Sequence, residues 1–168
     1  MHRFVVIFLV LTGFVYGGEQ FEIIRSDQNS IVLELKPIDI SLRKIAVNGS
    51  VYDKIEPSPF YTLTTGAGLP ELPVVTAMLG LPFNAQPAVN IISAIYEDMP
   101  DITLRPAAEL EFVDNDAGGY LREIPAQTAL EPGDAEFYPA NVAEPGGIQI
   151  FRNRRIGRID VYPMRYNA

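Results

Sequence analysis

The chain has no cysteine and no tryptophan, and its one histidine is His2. Without cysteine there can be no disulfide, no thiolate nucleophile and no acylated lipoprotein anchor. With histidine confined to the extreme N-terminus, the body of the chain has neither a Cys–His dyad nor a Ser–His–Asp triad. Zinc sites built from thiolate or imidazole are excluded for the same reason. No Gly-Lys-Ser/Thr phosphate loop occurs. Positive charge is also scarce: 13 Lys and Arg stand against 21 Asp and Glu, a net charge of −8. Neutralising nucleic-acid phosphates requires a basic face, so no nucleic-acid partner is expected.

Long apolar runs are nearly absent. The exception is the N-terminus, where roughly 13 residues from Phe4 to Tyr16 are apolar or small, short of the ~20 that a spanning helix needs. His2 and Arg3 precede Phe4-Val5-Val6-Ile7-Phe8-Leu9-Val10-Leu11, and Val15-Tyr16-Gly17 places small or β-branched residues at a cleavage position. Residues 1–17 therefore read as a secretory signal peptide rather than a membrane anchor. Residues 18–168 form one domain, secreted or held at the cell surface, with no membrane span after cleavage. Loss of Arg3 takes the net charge from −8 to −9. Export without cysteines suits a bacterial envelope protein. A domain of this size buries roughly 68–70% of its unfolded surface and needs no disulfide.

Carboxylates are the remaining reactive groups. Glu109, Glu111, Glu123 and Glu136 could supply the acid pair of a glycosidase, but acids are plentiful and none is singled out by spacing. Asp114-Asn115-Asp116 offers alternate oxygen ligands, yet lacks the glycine and distal glutamate of a calcium loop. A solvated acidic turn is the simpler reading. The chain is read as a non-enzyme with no cofactor and no metal.

The patterning that is present is β-type. Phe21–Arg25 is a short strand. In Ser30–Lys36, Ile31, Leu33 and Leu35 share one face. Ile38, Ile40 and Leu42 continue an apolar face after Pro37. Asn48-Gly49 between Lys44–Val47 and Ser50–Tyr52 predicts a tight hairpin; Asn48-Gly49-Ser50 also fits a glycosylation acceptor, which the hairpin makes unnecessary. Thr65–Val75 is a Gly/Pro-punctuated entry to Val74–Leu81, a strand expected to be covered on both sides, with Pro70, Pro73 and Pro82 barring regular pairing near its ends. Ala88–Tyr96 and Ile102–Leu104 are further strands. From Ala107 to Glu136, glycines, prolines and acids predict long surface loops, with one short helical turn around Pro125–Leu130. Gly147–Phe151 and Arg158–Tyr162 flank an arginine-rich turn, Arg152-Asn153-Arg154-Arg155-Ile156-Gly157-Arg158. That turn reads as the solvated face of a hairpin, or as a contact for an anionic partner. The fold class is all-β: a jelly-roll-like antiparallel β-sandwich with long loops and at most one short helix.

An ordered set of landmarks runs along the chain. They are Gly68-x-Pro70-x-Leu72-Pro73-Val74, Leu104-x-Pro106, Phe137-Tyr138-Pro139, Arg152-x-x-Arg155 and Pro163-x-x-Tyr166-Asn167. In this order they resemble the N-terminal propeptide of gingipain-type cysteine peptidases, from about Phe21 to the end. The resemblance implies a domain exported with its peptidase, which assists folding and blocks the active-site cleft until proteolytic removal. The partner would be the catalytic domain, in cis downstream, so that the chain is the N-terminal part of a longer precursor. In that family a basic residue in the loop after the x-Pro landmark enters the specificity pocket. Here the matching loop, Ala107–Gly119, has no Lys or Arg and reads Leu110-Glu111-Phe112-Val113-Asp114. Phe112, Val113 and Asp114 are the inhibitory candidates, with Arg122 second. Arg152 and Arg155, like the other landmarks, are expected to hold the fold. Two alternatives stand beside this reading: an exported module for adhesion or carbohydrate binding, and a component of a surface-secretion complex.

Overall fold

The computed structural model describes residues 5–9, 15–17, 19–27, 29–114, 118–124 and 137–167. Among these there is no helix. The strands are β1 (Val5–Leu9), β2 (Val15–Gly17), β3 (Phe21–Ser26), β4 (Ile31–Leu35), β5 (Leu42–Val47), β6 (Ser50–Ile55), β7 (Thr62–Leu63), β8 (Pro73–Leu81), β9 (Val89–Ala94), β10 (Glu109–Val113), β11 (Tyr120–Ile124), β12 (Ala143–Phe151) and β13 (Arg154–Val161). Two larger sheets run in the orders β3-β4-β1-β9 and β12-β13-β8-β2, with β7 also on β8. Every strand pairing is antiparallel. One core joins the sheets: Leu33 and Leu35 from the first, Val75, Leu79, Ile159 and Val161 from the second. The all-β sandwich reading holds.

Period-two burial explains the two central strands. In β8 every odd residue from Pro73 to Leu81 is buried and every even one is partly covered. One face of β8 is thus fully closed and the other only half closed, a correction to the expectation of cover on both sides. In β4 the expected face Ile31, Leu33 and Leu35 is buried, and Val32 is buried with it. Asn48 and Gly49 both take positive φ, 51° and 83°, as a two-residue turn between β5 and β6 requires.

Three other expectations change. Ile102–Leu104 is no strand; Leu104 makes a single parallel bridge to Asp53. The arginine-rich turn shrinks to Arg152 and Asn153, both at positive φ, because Arg154 to Arg158 already pair within β13. The long loop after Ala107 contains the hairpin β10–β11. The short helical turn expected at Pro125–Leu130 lies outside the described residues.

Candidate functional site: the β10–β11 hairpin and its root

The segment leading into β10 is clamped on both sides. Asp53 takes one side: its N–H donates to Thr103 O at 2.7 Å, its carboxylate accepts from the Thr103 N–H at 3.1 Å, and the Arg105 N–H donates to Asp53 O at 3.1 Å. The Gly68–Glu71 stretch takes the other. Gly68 N–H donates to Ala107 O at 2.9 Å, Ala107 N–H to Leu69 O at 2.7 Å, and Glu71 N–H to Arg105 O at 3.3 Å. Gly68 sits at φ 78°, a conformation that a side chain would strain. The landmark Gly68-x-Pro70-x-Leu72-Pro73 is therefore the seat of the hairpin root. Pro70 bridges Pro106, while Leu72 and Ala107 are buried beneath.

Charge is concentrated at this root. Lys44 pairs with Asp53 at 3.0 Å, and Arg105 with Glu123 at 3.2 Å. Hydrogen bonds from Thr103 and Lys44 hold the Asp53 carboxyl below its ordinary value. Glu71 differs. Its Oε2 is buried with no hydrogen-bond partner among the described residues. Burial pushes its carboxyl above the ordinary value, against the opposing pull of Arg105 and Lys54 and with a further push from Glu123. Near pH 4 the group is protonated in the folded and unfolded chain alike. As pH rises through the raised folded value, the folded state is left with a half-buried charge, so this residue's contribution worsens with pH. Glu71→Gln is expected to raise the melting temperature at pH 7–8, by roughly 2–4 °C for each kcal/mol relieved, and to give no gain near pH 4. Thermal scans at the two pH values check this.

The hairpin itself projects from the root. Glu109 faces Ile124, Glu111 faces Arg122 and Val113 faces Tyr120 on one side; Leu110 faces Glu123 and Phe112 faces Leu121 on the other. Phe112 is 62% exposed and Leu121 63% exposed, and Leu110 is exposed with them. The Phe112 ring lies across Gly119, where any Cβ would meet it. The result is an apolar stripe on one hairpin face, uncovered within the described residues. Exposed apolar surface of this kind makes the hairpin face a candidate interaction site.

The inhibitory candidates fall on this element at distinct places. Phe112 is on the apolar face. Val113 ends β10 on the opposite face, and Asp114 follows it, exposed. Arg122 is mid-β11, ion-paired with Glu111 on the face away from Phe112. Sequence reasoning passed over Leu110, Tyr120 and Leu121; the alternation Leu110–Phe112 opposite Leu121 was the available signal, obscured by the flanking acids and glycines.

The other landmarks lie elsewhere. Tyr138 and Tyr166 exchange two backbone hydrogen bonds of 2.7 Å, and the Tyr138–Pro139 peptide is cis. Pro163 follows β13, and Asn167 lies exposed at a cleft of about 650 Å³. Arg155 donates to Pro82 O at 2.9 Å and to Phe83 O. Arg152 stacks on Phe151 at 5.3 Å. The cleft is rimmed by Asp39, Asp98 and Asp101, but no group of metal-ligating side chains gathers among the described residues.

A family model for C25 peptidase propeptides, Propeptide_C25, matches residues 16–168. The chain belongs to the C25 propeptide family. A solved structure titled as a complex of Porphyromonas gingivalis RgpB pro- and mature domains has a chain of similar fold, with TM-score 0.72 at 16% identity, covering 90% of this chain and 75% of that one. No curated protein matches. Membership fits the absence of cysteine: a C25 propeptide is not the catalytic part of its peptidase. Among the described residues, no helix is long and apolar enough to cross a membrane.

Proposed function

We propose that this C25 propeptide is an inhibitory and folding-assisting domain of a gingipain-like cysteine peptidase. It is exported through leader residues 1–17, made as the N-terminal part of a longer precursor, and blocks the catalytic cleft until proteolysis removes it. The observation that carries the reading is the uncovered apolar stripe of Leu110, Phe112 and Leu121 on a hairpin whose root is clamped from both sides. The similar RgpB structure is itself a pro–mature complex. The end of β10, with Phe112, Val113 and Asp114, meets the cleft, while the sandwich behind it keeps the hairpin in place. Such preorganisation reduces the ordering cost of binding. Because no Lys or Arg stands in β10 or at Asp114, the peptidase subsite nearest this end accepts an apolar side chain.

The test is inhibition in trans. The full chain, added to a separately prepared C25 catalytic domain with a small fluorogenic substrate, is expected to abolish turnover at sub-micromolar concentration. Undiminished turnover at tens of micromolar would overturn the reading.

A further inference from the structure

The two ends of β13 differ in charge. At its start, the turn from β12 presents Arg152 and Arg154, both exposed, beside the exposed side chains of Ile150 and Phe151. Strand β8 ends here too, because Leu81 pairs with Arg155. Arg155 donates to Pro82 O and Phe83 O, which pins the chain at Phe83 and leaves that residue 83% exposed. The chain carries a net charge of −8, yet it has no Asp or Glu from Leu72 to Tyr96 or from Pro145 to Ile159. These segments therefore build an apolar tip flanked by arginines, with no carboxylate of their own.

From this tip β13 runs roughly 25 Å to Val161, at the usual rise of a strand. Just beyond its far end, residues 163–167 help to line the cleft of about 650 Å³. The floor of that cleft is apolar: Ile38, Ile40, Ile102 and Met164 are half-buried and pack against the core. Its rim carries the exposed carboxylates of Asp39, Asp98 and Asp101. Arg165 is the one basic residue of the lining. Its guanidinium is taken up by Pro139 O at 2.9 Å, Ala140 O at 2.8 Å and the Phe137 ring.

We propose that the Phe83 tip of one molecule docks in the Asp-rimmed cleft of a second copy, so that the chain associates head to tail. Each surface supplies what the other lacks. One is an apolar projection flanked by Arg152 and Arg154; the other is an apolar hollow rimmed by Asp39, Asp98 and Asp101. The volume lies within the ~300–1,000 Å³ of ordinary ligand clefts and has room for an aromatic ring. The desolvated ring supplies most of the affinity. The rim pairs set orientation and are screened over about 8 Å at physiological salt. Because the tip and the cleft lie at opposite ends of β13, no molecule can fill its own cleft. The contact is heterologous: every added copy leaves a further tip and cleft to fill, which builds rings or open chains instead of a two-fold dimer. The β10–β11 hairpin belongs to neither surface, so the inference does not depend on the propeptide reading.

The test is sedimentation of the full chain from micromolar to millimolar concentration, at low and at high salt. The mean mass is expected to climb past that of a dimer at low salt and to fall at high salt. Two variants then break one surface each: Phe83→Ser with Arg154→Glu at the tip, and Asp98→Lys with Asp101→Lys at the cleft. All four side chains are exposed, so both variants are expected to keep the melting temperature of the unaltered chain. Each variant alone is expected to associate at least tenfold more weakly. An equimolar mixture of the two is expected to stop at a one-to-one dimer, because the intact tip of one fits the intact cleft of the other and neither can extend. A chain that stays monomeric at millimolar concentration overturns the proposal. So does association that both variants leave unchanged, which would assign the contact to an exposed strand edge. A mixture that stays monomeric while the unaltered chain associates overturns the pairing of tip with cleft. Should the double tip variant lose its fold, Phe83→Ser alone is read the same way.

Discussion

Replacing Phe112 and Leu121 together by aspartate is expected to weaken inhibition of the catalytic domain by 100-fold or more. The two side chains face each other across the hairpin and are 62% and 63% exposed, so the folded domain gains little from them by itself. In a complex the same rings and branches would be desolvated. Central apolar anchors of an interface typically cost about 2–4 kcal/mol each on truncation, and each ~1.4 kcal/mol is tenfold in affinity. Two introduced carboxylates add the cost of burying unpaired charge. Surface substitutions of this kind change stability by only about 0.5 kcal/mol, so the melting temperature should move by at most a degree or two. Glu111→Gln on the opposite face is the control and should inhibit nearly as well as the unaltered chain. An inhibition constant for the double variant within threefold of the original would remove the apolar stripe from the interface.

The second large effect is on stability. Leu33 has no exposed surface, lies in the middle of β4, and packs in the core shared by both sheets. Leu33→Ala is expected to cost about 2–5 kcal/mol, the sum of lost transfer energy and the cavity left behind. For a chain of this length that is roughly 5–15 °C in melting temperature. Below its midpoint the variant should still inhibit, because the hairpin root is held by backbone hydrogen bonds from Asp53 and Gly68 that do not involve β4. Calorimetry and the trans-inhibition assay, run on the same preparation, separate the two effects.

The two predictions draw on parts of the chain that differ in how openly the sequence shows them. Leu33 is legible because Ile31, Leu33 and Leu35 alternate cleanly above one core, and burial follows directly from that alternation. Asn48-Gly49 is legible because few residue pairs accept two positive φ values in succession. The β10–β11 hairpin is not. Neither of its faces is buried by the sandwich, so no period-two selection acts on it, and Glu109, Glu111, Glu123, Gly118 and Gly119 give it the composition of a loop. The candidate Phe112 comes from family resemblance, whereas its partner Leu121 becomes visible only through cross-strand register. The clamp of Asp53 onto Thr103 and Arg105 spans about 50 residues of sequence, and local pattern contains no trace of it. Arg154 and Arg155 show the converse error: a run of charge reads as a turn, although their backbones are paired in β13.

The ladder between β10 and β11 also bears on durability. A peptidase cuts a chain that it can draw out, unpaired, through its active site, and exposed, unpaired loop tips are where nicking concentrates. Glu109–Val113 is already bonded along its length to Tyr120–Ile124. Arg122, the one arginine of the hairpin strands, is held against Glu111 in mid-ladder. Cleavage at either strand first requires peeling one from the other, and at the root the Arg105–Glu123 ion pair ties β11 to the clamped segment that leads into β10. Under the proposed function, the segment offered to the enzyme would be a poor substrate by virtue of its shape, so that the domain could occupy an active-site cleft without being consumed there.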